Sequence, residues 1–169
     1  MKYTKNLTYA AVIAALYVCL SFLQNLLLPG TTSMAVQFRA AEALCVLALF
    51  TPSAIYGLTI GCLLYNLSYA GALPLDFLIG TAATLLSALS MYALRRVKLW
   101  KLPVLSLLMP PLFNALLVGG ELTAYLGESP FWFNALCVAA GEVGVLFTLG
   151  IALYFALSHR KLNDRLFGR

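Results

Sequence analysis

The sequence predicts an all-α integral membrane protein, a bundle of six transmembrane helices. Hydrophobic residues make up 62% of its 169 positions and charged residues only 10%, against roughly 25% charged residues in soluble domains. The charges are also segregated. Five long stretches contain no charged residue: 6–38, 43–75, 77–94, 102–120 and 143–158. Because about 20 apolar residues cross a bilayer, each stretch is long enough for one or two crossings.

Helix-breaking residues between these stretches set the helix limits. They are Pro29-Gly30, Thr51-Pro52 and the segments 71–74, 95–101 and 127–130. The six predicted helices cover residues 7–28, 34–50, 52–69, 75–94, 102–125 and 131–158. The second helix is short and carries two charges, so a partly interfacial position is the alternative for it. The whole chain, residues 1–169, is assigned to a single transmembrane domain.

The first helix carries a smooth face of small residues. Ala10, Ala11, Ala14 and Ala15 form two overlapping Ala-x-x-x-Ala pairs, a spacing that lets another helix approach closely. We therefore expect this face to dock on a partner within the membrane. The apolar stretch is longer than the 7–15 residue core of a secretory signal, so we predict that it is a retained span.

Basic residues predict the orientation, because loops that stay in the cytoplasm retain Lys and Arg. Ten of the eleven fall at one end of a six-helix arrangement: Lys2, Lys5, Arg95, Arg96, Lys98, Lys101, Arg160, Lys161, Arg165 and Arg169. Both termini and the 95–101 loop are therefore predicted to be cytoplasmic, and loops 31–33, 71–73 and 127–129 to face outward. The net charge of +5 indicates topology and contact with anionic lipid, and it gives little support to nucleic-acid binding.

Polar side chains inside the predicted spans are the candidates for substrate binding, because a charge at mid-bilayer costs about 2.5–3.5 kcal/mol on insertion scales. The candidates are Gln37, Arg39, Glu42, Asn66, Asp76, Asn114, Glu121 and Glu142. All of them fall in the outer half of the predicted bundle or near its midplane. This distribution predicts a pocket that is open to the exterior.

Several candidates also have a purely structural interpretation. Arg39 and Glu42 are i,i+3 neighbours on one helix face. In the structural interpretation these two charges simply neutralise one another. Asp76 suits a helix N-terminus, where the dipole favours negative charge. Glu142 lies between two nearby glycines and is expected either to contact ligand or to pair with another helix.

Two further features lie near these candidates. Pro110-Pro111 removes backbone amide donors, so the fifth helix is expected to kink beside the pocket. Aromatic residues, Trp132 among them, gather at the outer end of the predicted bundle. Such residues either stack on a planar ligand or form the aromatic belt of a membrane interface.

Motifs for catalysis are missing from the sequence. The single histidine is His159, and neither His-Glu-x-x-His nor Gly-x-Ser-x-Gly occurs. The four cysteines lack metal-ligand spacing, so neither a metal nor another cofactor is predicted. The sequence also lacks a phosphate-binding Gly-x-x-x-x-Gly-Lys-Ser/Thr loop, so no ATPase site is predicted in this chain. A self-sufficient small carrier or channel is the alternative, although an internal repeat is not evident.

Short segments along nearly the whole chain resemble the QueT family of substrate-binding subunits. These segments are Gln37-Phe38-Arg39, Glu42-Ala43-Leu44, Ala54-Ile55, 57–66, Asp76 with Gly80, Ala82-Ala83-Thr84-Leu85, Pro110-Pro111, Asn114-Ala115, Val118-Gly119 and Gly141-Glu142. The alanine pairs of the first helix are similar to the docking motif of such subunits. Glu121 is not carried over from the family, and its assignment rests on location alone.

The resemblance implies the S component of an energy-coupling factor (ECF) transporter, a type of ABC importer. It further implies capture of a queuosine precursor, a 7-deazaguanine base such as 7-aminomethyl-7-deazaguanine or queuine. A transmembrane coupling subunit and two cytoplasmic ATPases are the implied partners in a bacterial plasma membrane. A carboxylate accepts two parallel N–H groups of a guanine-like edge, and Glu142 is the first choice for that role. Glu121 or Asp76 is then the counter-charge for an aminomethyl group.

Overall fold

The computed structural model describes residues 2–31, 36–69, 74–100, 102–127 and 129–159. Within these ranges the chain forms helices and no strand. In chain order they are α1 (Lys2–Leu27), a 3₁₀ helix (Ala40–Leu49), α2 (Ser53–Ser68), α3 (Asp76–Leu94), α4 (Val104–Leu107), α5 (Met109–Leu126), α6 (Phe131–Val145), a π segment (Leu146–Gly150) and α7 (Ile151–Ser158). The predicted all-α class is confirmed.

Four helical segments in the described part of the chain are long and apolar enough to cross a membrane: Tyr3–Leu27, Asp76–Leu94, Val104–Tyr125 and Phe131–Ser158. The other two predicted spans are shorter, since α2 has 16 residues and the 3₁₀ helix has 10. At 1.5 and 2.0 Å per residue they are about 24 Å and 20 Å long, against roughly 30 Å for the hydrocarbon core. The membrane character is confirmed, and the number of six crossings stays a prediction.

The second predicted helix, 34–50, is wrong in both type and start. Residues 32–35 lie outside the described part, and Arg39 is extended, with φ −109° and ψ 93°. The side chain of Gln24 explains this conformation, because its Nε2 donates to the Phe38 carbonyl and its Oε1 accepts the Ala40 N–H at 2.7 Å. These bonds satisfy backbone groups that an α-helix would otherwise pair.

Helices α1 and α2 pack closely and run parallel. A Cβ added at Gly57 would lie 2.8 Å from Ile13 Cβ, and one added at Gly61 would lie 2.8 Å from Tyr17 Cβ. Both glycines thus allow a helix contact that any larger residue would push apart. Gly57 meets Ile13 and Gly61 meets Tyr17, so the residue numbers rise together along both helices. The chain must therefore return to the end where α1 begins before α2 can start, and the intervening 3₁₀ helix makes that return.

The 3₁₀ helix lies at the centre of the bundle. Its buried residues are Ala41, Glu42, Ala43, Cys45, Val46 and Ala48. All of these except Glu42 pack in one hydrophobic core cluster with Tyr17 of α1, Met91 of α3 and Leu146 of the π segment. A ten-residue 3₁₀ helix is unusually long, since most runs end after three or four residues. Its small side chains permit this close packing on every side.

Helices α5 and α6 are joined by a tight approach at Gly119, where an added Cβ would lie 2.8 Å from the Ala135 Cα. The expected kink of the fifth helix takes the form of a break at Leu108, immediately before Met109-Pro110-Pro111 begins α5. The sixth predicted helix, 131–158, is interrupted by the π segment. Many large apolar side chains face outward, Leu26 and Leu136 being 78% and 69% exposed, as lipid contact requires.

Candidate functional site

The eight polar candidates are all buried in the described part of the chain. They are Gln37, Arg39, Glu42, Asn66, Asp76, Asn114, Glu121 and Glu142, and none is more than 8% exposed. They come from the 3₁₀ helix and its N-terminal approach, α2, α3, α5 and α6. We call these eight residues the polar cluster.

Arg39 pairs with Asp76 across two elements of the bundle. Its Nη2 lies 3.7 Å from Asp76 Oδ2, so the alternative in which Arg39 and Glu42 neutralise only each other is wrong. Asn66 Nδ2 donates to the Asp76 carbonyl at 3.0 Å. Gly80 leaves room for this group, because a Cβ there would lie 2.8 Å from both Asn66 Nδ2 and Asp76 Oδ1. Asp76 is also the first residue of α3, where the helix dipole favours a carboxylate.

Glu42 is held by two donors. Tyr17 Oη donates to its Oε1 at 2.6 Å, and Cys45 Sγ donates to its Oε2 at 3.1 Å. Both donors are buried, Tyr17 at 1% exposure and Cys45 at 0%. The Glu42 carboxylate is therefore satisfied within the protein, in contrast to the other acids of the polar cluster.

Glu121 and Glu142 keep unpartnered oxygens. Both carboxylate oxygens of Glu121 and the Oε2 of Glu142 are buried without a hydrogen-bond partner in the described structure. Glu121 interacts electrostatically with Asp76 and Arg39, and Glu142 does so with Glu42 and Arg39. The five charged side chains of the cluster thus lie within electrostatic range of one another, and Arg39 is the one cation among them.

The segment that carries Gln37 and Arg39 is fixed from two sides. Gln24 of α1 bonds the backbone on either side of Arg39. On the other side the Gln37 backbone passes over Gly141, where an added Cβ would lie 2.8 Å from the Gln37 carbonyl carbon. Gly141, which precedes Glu142, therefore lets the segment that contains Gln37 pass close to α6. This close passage brings Arg39 towards Glu142.

Among the described residues, Asn114 and Trp132 form no hydrogen bond with the ion pair, whereas Asn66 keeps a free acceptor beside it. Asn114 Nδ2 donates to the Pro110 carbonyl of its own helix at 3.1 Å. Trp132 is 73% exposed and packs edge-to-face on Phe131, with ring centroids 5.1 Å apart. It lies outside the buried polar cluster, in the position expected of a membrane-interface aromatic. Asn66 Oδ1 is buried and unpartnered, so this amide has an acceptor left for a ligand.

The alanine face divides into two halves. Ala10 and Ala14 are buried at 8% and 7% exposure, because they pack against α2, where an added Cβ at Gly57 or Gly61 would lie 2.7 Å or 3.0 Å from their carbonyl oxygens. Ala11 and Ala15 are exposed. The expectation that all four alanines meet a partner is therefore wrong for Ala10 and Ala14.

A cavity of about 490 Å³ lies beside the cluster and has an apolar lining. It is bounded by Gln24, Leu28, Thr31, Phe38, Ala40, Gly144, Val145, Thr148 and Leu149. None of the charged candidates lines it. Because recognition of a polar ligand requires convergent polar groups, the polar cluster is the better candidate site.

Sequence reasoning missed the residues that support the cluster. Tyr17 and Gln24 lie on α1, and Cys45 lies one turn after Glu42 in the 3₁₀ helix. Tyr17 follows Ala10 and Ala14 on the same helix face, and Gln24 is polar in an otherwise apolar run. These two features of the sequence could have identified Tyr17 and Gln24 as supporting residues.

The family model described as QueT transporter matches residues 7–159. No curated protein and no solved structure matches the chain.

Proposed function

This chain belongs to the QueT transporter family, and we propose that it is the substrate-binding S component of an energy-coupling factor importer. In this role it captures a queuosine precursor from outside a bacterial plasma membrane. The chain is a transport protein with a small-molecule substrate, and ATP hydrolysis takes place on other subunits.

The surplus of buried carboxylates over positive charge carries this proposal. Arg39 is the one buried cation among the described residues, whereas Glu42, Asp76, Glu121 and Glu142 are buried acids. Buried charges are normally paired or hydrogen-bonded, yet Glu121 and Glu142 have unpartnered oxygens. A ligand rich in N–H groups and carrying a positive charge would complete the pairing.

A 7-deazaguanine base with an aminomethyl group has this chemistry. Its guanine-like edge presents adjacent N–H donors that one carboxylate accepts in parallel, and we assign that edge to Glu142. The ammonium group is assigned to Glu121 or Asp76. We assign Asn114 and Gln37 to the carbonyl group and the ring nitrogens of the base.

The remaining polar residues form the rest of the proposed site. Arg39 holds Asp76, and Asn66 offers its free Oδ1 beside them. Glu42, which already accepts two bonds, supplies charge without being the main ligand contact. Trp132 is proposed as an interfacial residue near the entrance.

The proposed partners are the transmembrane coupling subunit and two cytoplasmic ATPases. Ala11 and Ala15 are four residues apart and exposed on α1, so they form the Ala-x-x-x-Ala surface available to the coupling subunit. This assignment narrows the docking face to one of the two alanine pairs.

Binding and transport are tested separately. The purified chain is titrated with 7-aminomethyl-7-deazaguanine, and ligand retained through purification is identified by mass spectrometry. Proteoliposomes with and without the coupling subunit and ATPases are then assayed for uptake. We expect binding by the chain alone and ATP-dependent uptake only in the complete assembly. Uptake by the chain alone would establish the alternative, a self-sufficient carrier.

A further inference from the structure

The turn between α3 and α4 presents an unusual exposed side chain. Leu99 N–H donates to the Leu102 carbonyl at 2.8 Å, and Leu102 N–H donates to the Leu99 carbonyl at 3.0 Å. Trp100 lies in the turn that these two bonds close, with φ 48°. Such turns favour Gly or Asn at positive φ, and a bulky residue there is strained. Backbone strain of this kind is concentrated at functional positions.

The surroundings of Trp100 combine apolar exposure with positive charge. Trp100 is 90% exposed, Leu99 56% and Val97 48%. Arg95, Arg96 and Lys98 precede them, and the sequence from 77 to 120 contains no acidic residue. None of these three basic residues forms an ion pair with another described residue. Arg95 instead lies over the Tyr92 ring, 3.8 Å from its centroid.

The turn also occupies a defined place relative to the membrane. It follows α3 and precedes the segment Val104–Tyr125, and both of these are long and apolar enough to cross a bilayer. A short turn between two such helices lies at the level of the lipid headgroups. Tryptophan is enriched at that level, and clusters of basic residues there attract anionic lipids.

We propose that residues 95–100 form a binding site for anionic phospholipid headgroups, with Trp100 inserted at the interface and Arg96 and Lys98 contacting the phosphates. Because its side chain is 90% exposed, the Trp100 indole is available to enter the headgroup layer. The site is independent of the polar cluster and of the substrate proposed for it.

The test uses the full chain in lipid nanodiscs, with Trp132→Phe so that Trp100 is the only tryptophan. The discs contain phosphatidylcholine and phosphatidylglycerol in equal amounts, and one of the two lipids is brominated near the headgroup. We expect brominated phosphatidylglycerol to quench Trp100 more strongly than brominated phosphatidylcholine. Removing one charge by Arg96→Gln or Lys98→Gln should lower that lipid preference about fivefold, because each basic residue contributes about 1 kcal/mol at an anionic surface.

Two controls keep the result decisive. Trp100→Asn retains the turn, because Asn tolerates positive φ, and it should unfold no earlier than wild type in neutral detergent while losing the extra stability that phosphatidylglycerol confers. Equal quenching by both brominated lipids would overturn the proposal. A second outcome would also overturn it. If aqueous iodide quenches Trp100 in the discs, and this quenching disappears only when the other transporter subunits are added, the turn is a protein-docking element.

Discussion

At the residue scale, the buried acids of the polar cluster differ in how completely they are satisfied. Glu42 accepts bonds from Tyr17 and Cys45, and Asp76 pairs with Arg39. Glu121 and Glu142 retain unpartnered oxygens. Asp76 Oδ1 is also buried without a partner, so Glu42 is the acid of the cluster that the fold satisfies, whereas Asp76, Glu121 and Glu142 have oxygens left for a ligand.

Glu142→Gln should weaken binding of both 7-aminomethyl-7-deazaguanine and its 7-cyano analogue. The amide turns one acceptor into a donor that faces a ligand donor, at a cost of about 1–3 kcal/mol, which corresponds to roughly five- to 150-fold weaker affinity. Glu121→Gln should weaken mainly the cationic aminomethyl ligand. Isothermal titration of both variants with both ligands measures these effects. Unchanged affinity in a folded Glu142→Gln variant would make Glu142 a structural pairing residue.

Tyr17→Phe should lower the stability of the folded chain. It removes the 2.6 Å bond to Glu42 Oε1 and leaves a buried carboxylate short of a donor, at about 1–3 kcal/mol. Tyr56→Phe is the matched control, because Tyr56 is 67% exposed and surface changes usually stay within about 0.5 kcal/mol. Thermal unfolding in detergent compares the two variants. Equal unfolding midpoints would show that the Tyr17 bond contributes nothing to stability.

At the element scale, α1 has two working faces. One face packs on α2 through Ala10, Ala14 and the glycines of α2, and it also presents Tyr17 to Glu42. The other face, with Ala11 and Ala15, is exposed. Substitutions on the face that packs against α2 should therefore impair folding, whereas substitutions on the face with Ala11 and Ala15 should impair assembly with the coupling subunit.

Ala11→Trp should leave substrate binding nearly intact and block transport, because the added bulk prevents close approach of the coupling subunit. Ala14→Trp should instead destabilise the chain, because that position is buried against α2. Co-purification with the coupling subunit, substrate titration and uptake distinguish the two outcomes. Normal assembly and uptake by Ala11→Trp would contradict the assigned docking surface.

Gly61→Ala and Gly120→Ala should change stability in opposite directions. A Cβ at Gly61 lies 2.8 Å from Tyr17 Cβ, whereas one at Gly120 has its nearest neighbour at 3.9 Å. Overpacking at Gly61 should cost about 1–3 kcal/mol, while removing a helical glycine at 120 should stabilise by about 0.5–1 kcal/mol. Unfolding midpoints of both purified variants measure the signs. A stabilising Gly61→Ala would show that the α1 and α2 contact is not tight.

At the scale of the whole molecule, the bundle gathers polar groups from distant parts of the sequence. Arg39, Asp76 and Glu121 belong to three elements and interact electrostatically. Their burial could be predicted, because a charge within an apolar run requires a partner. The partner of each charge depends on how each helix is rotated about its own axis. The positions of charge-free stretches in the sequence do not determine this rotation. For the same reason the pairing of Arg39 with Asp76 was not foreseen.

Helix location was also more predictable than helix type. Apolar stretches and breakers located α2 and α3 to within a residue at each end. The 3₁₀ helix and the π segment were not predicted, because their hydrogen bonds follow from packing among small side chains and from the bonds of Gln24. Tertiary contacts override local propensity at such places.

The topology prediction also concerns the whole molecule. New cysteines at Lys98 and Ser129, in a background without the native thiols, should react with impermeant reagent from the cytoplasmic and outer sides, respectively. Cys45→Ser is the suitable replacement within that background, because a hydroxyl retains the bond to Glu42. Several residues of these loops and of the C-terminal tail lie outside the described structure, so labelling is the direct measurement. Labelling of Lys98→Cys from outside would refute six crossings with cytoplasmic termini.

The ion pair between Arg39 and Asp76 also sets an order of events during biosynthesis. Tyr17 is already made when Glu42 emerges from the ribosome, but Asp76 follows Arg39 by 37 residues. At 5–20 residues per second, Arg39 waits roughly two to seven seconds for its partner. During that interval an unpaired guanidinium opposes entry of the 3₁₀ segment into lipid. We therefore expect the nascent chain to hold this segment at the translocon or the membrane surface until α3 arrives.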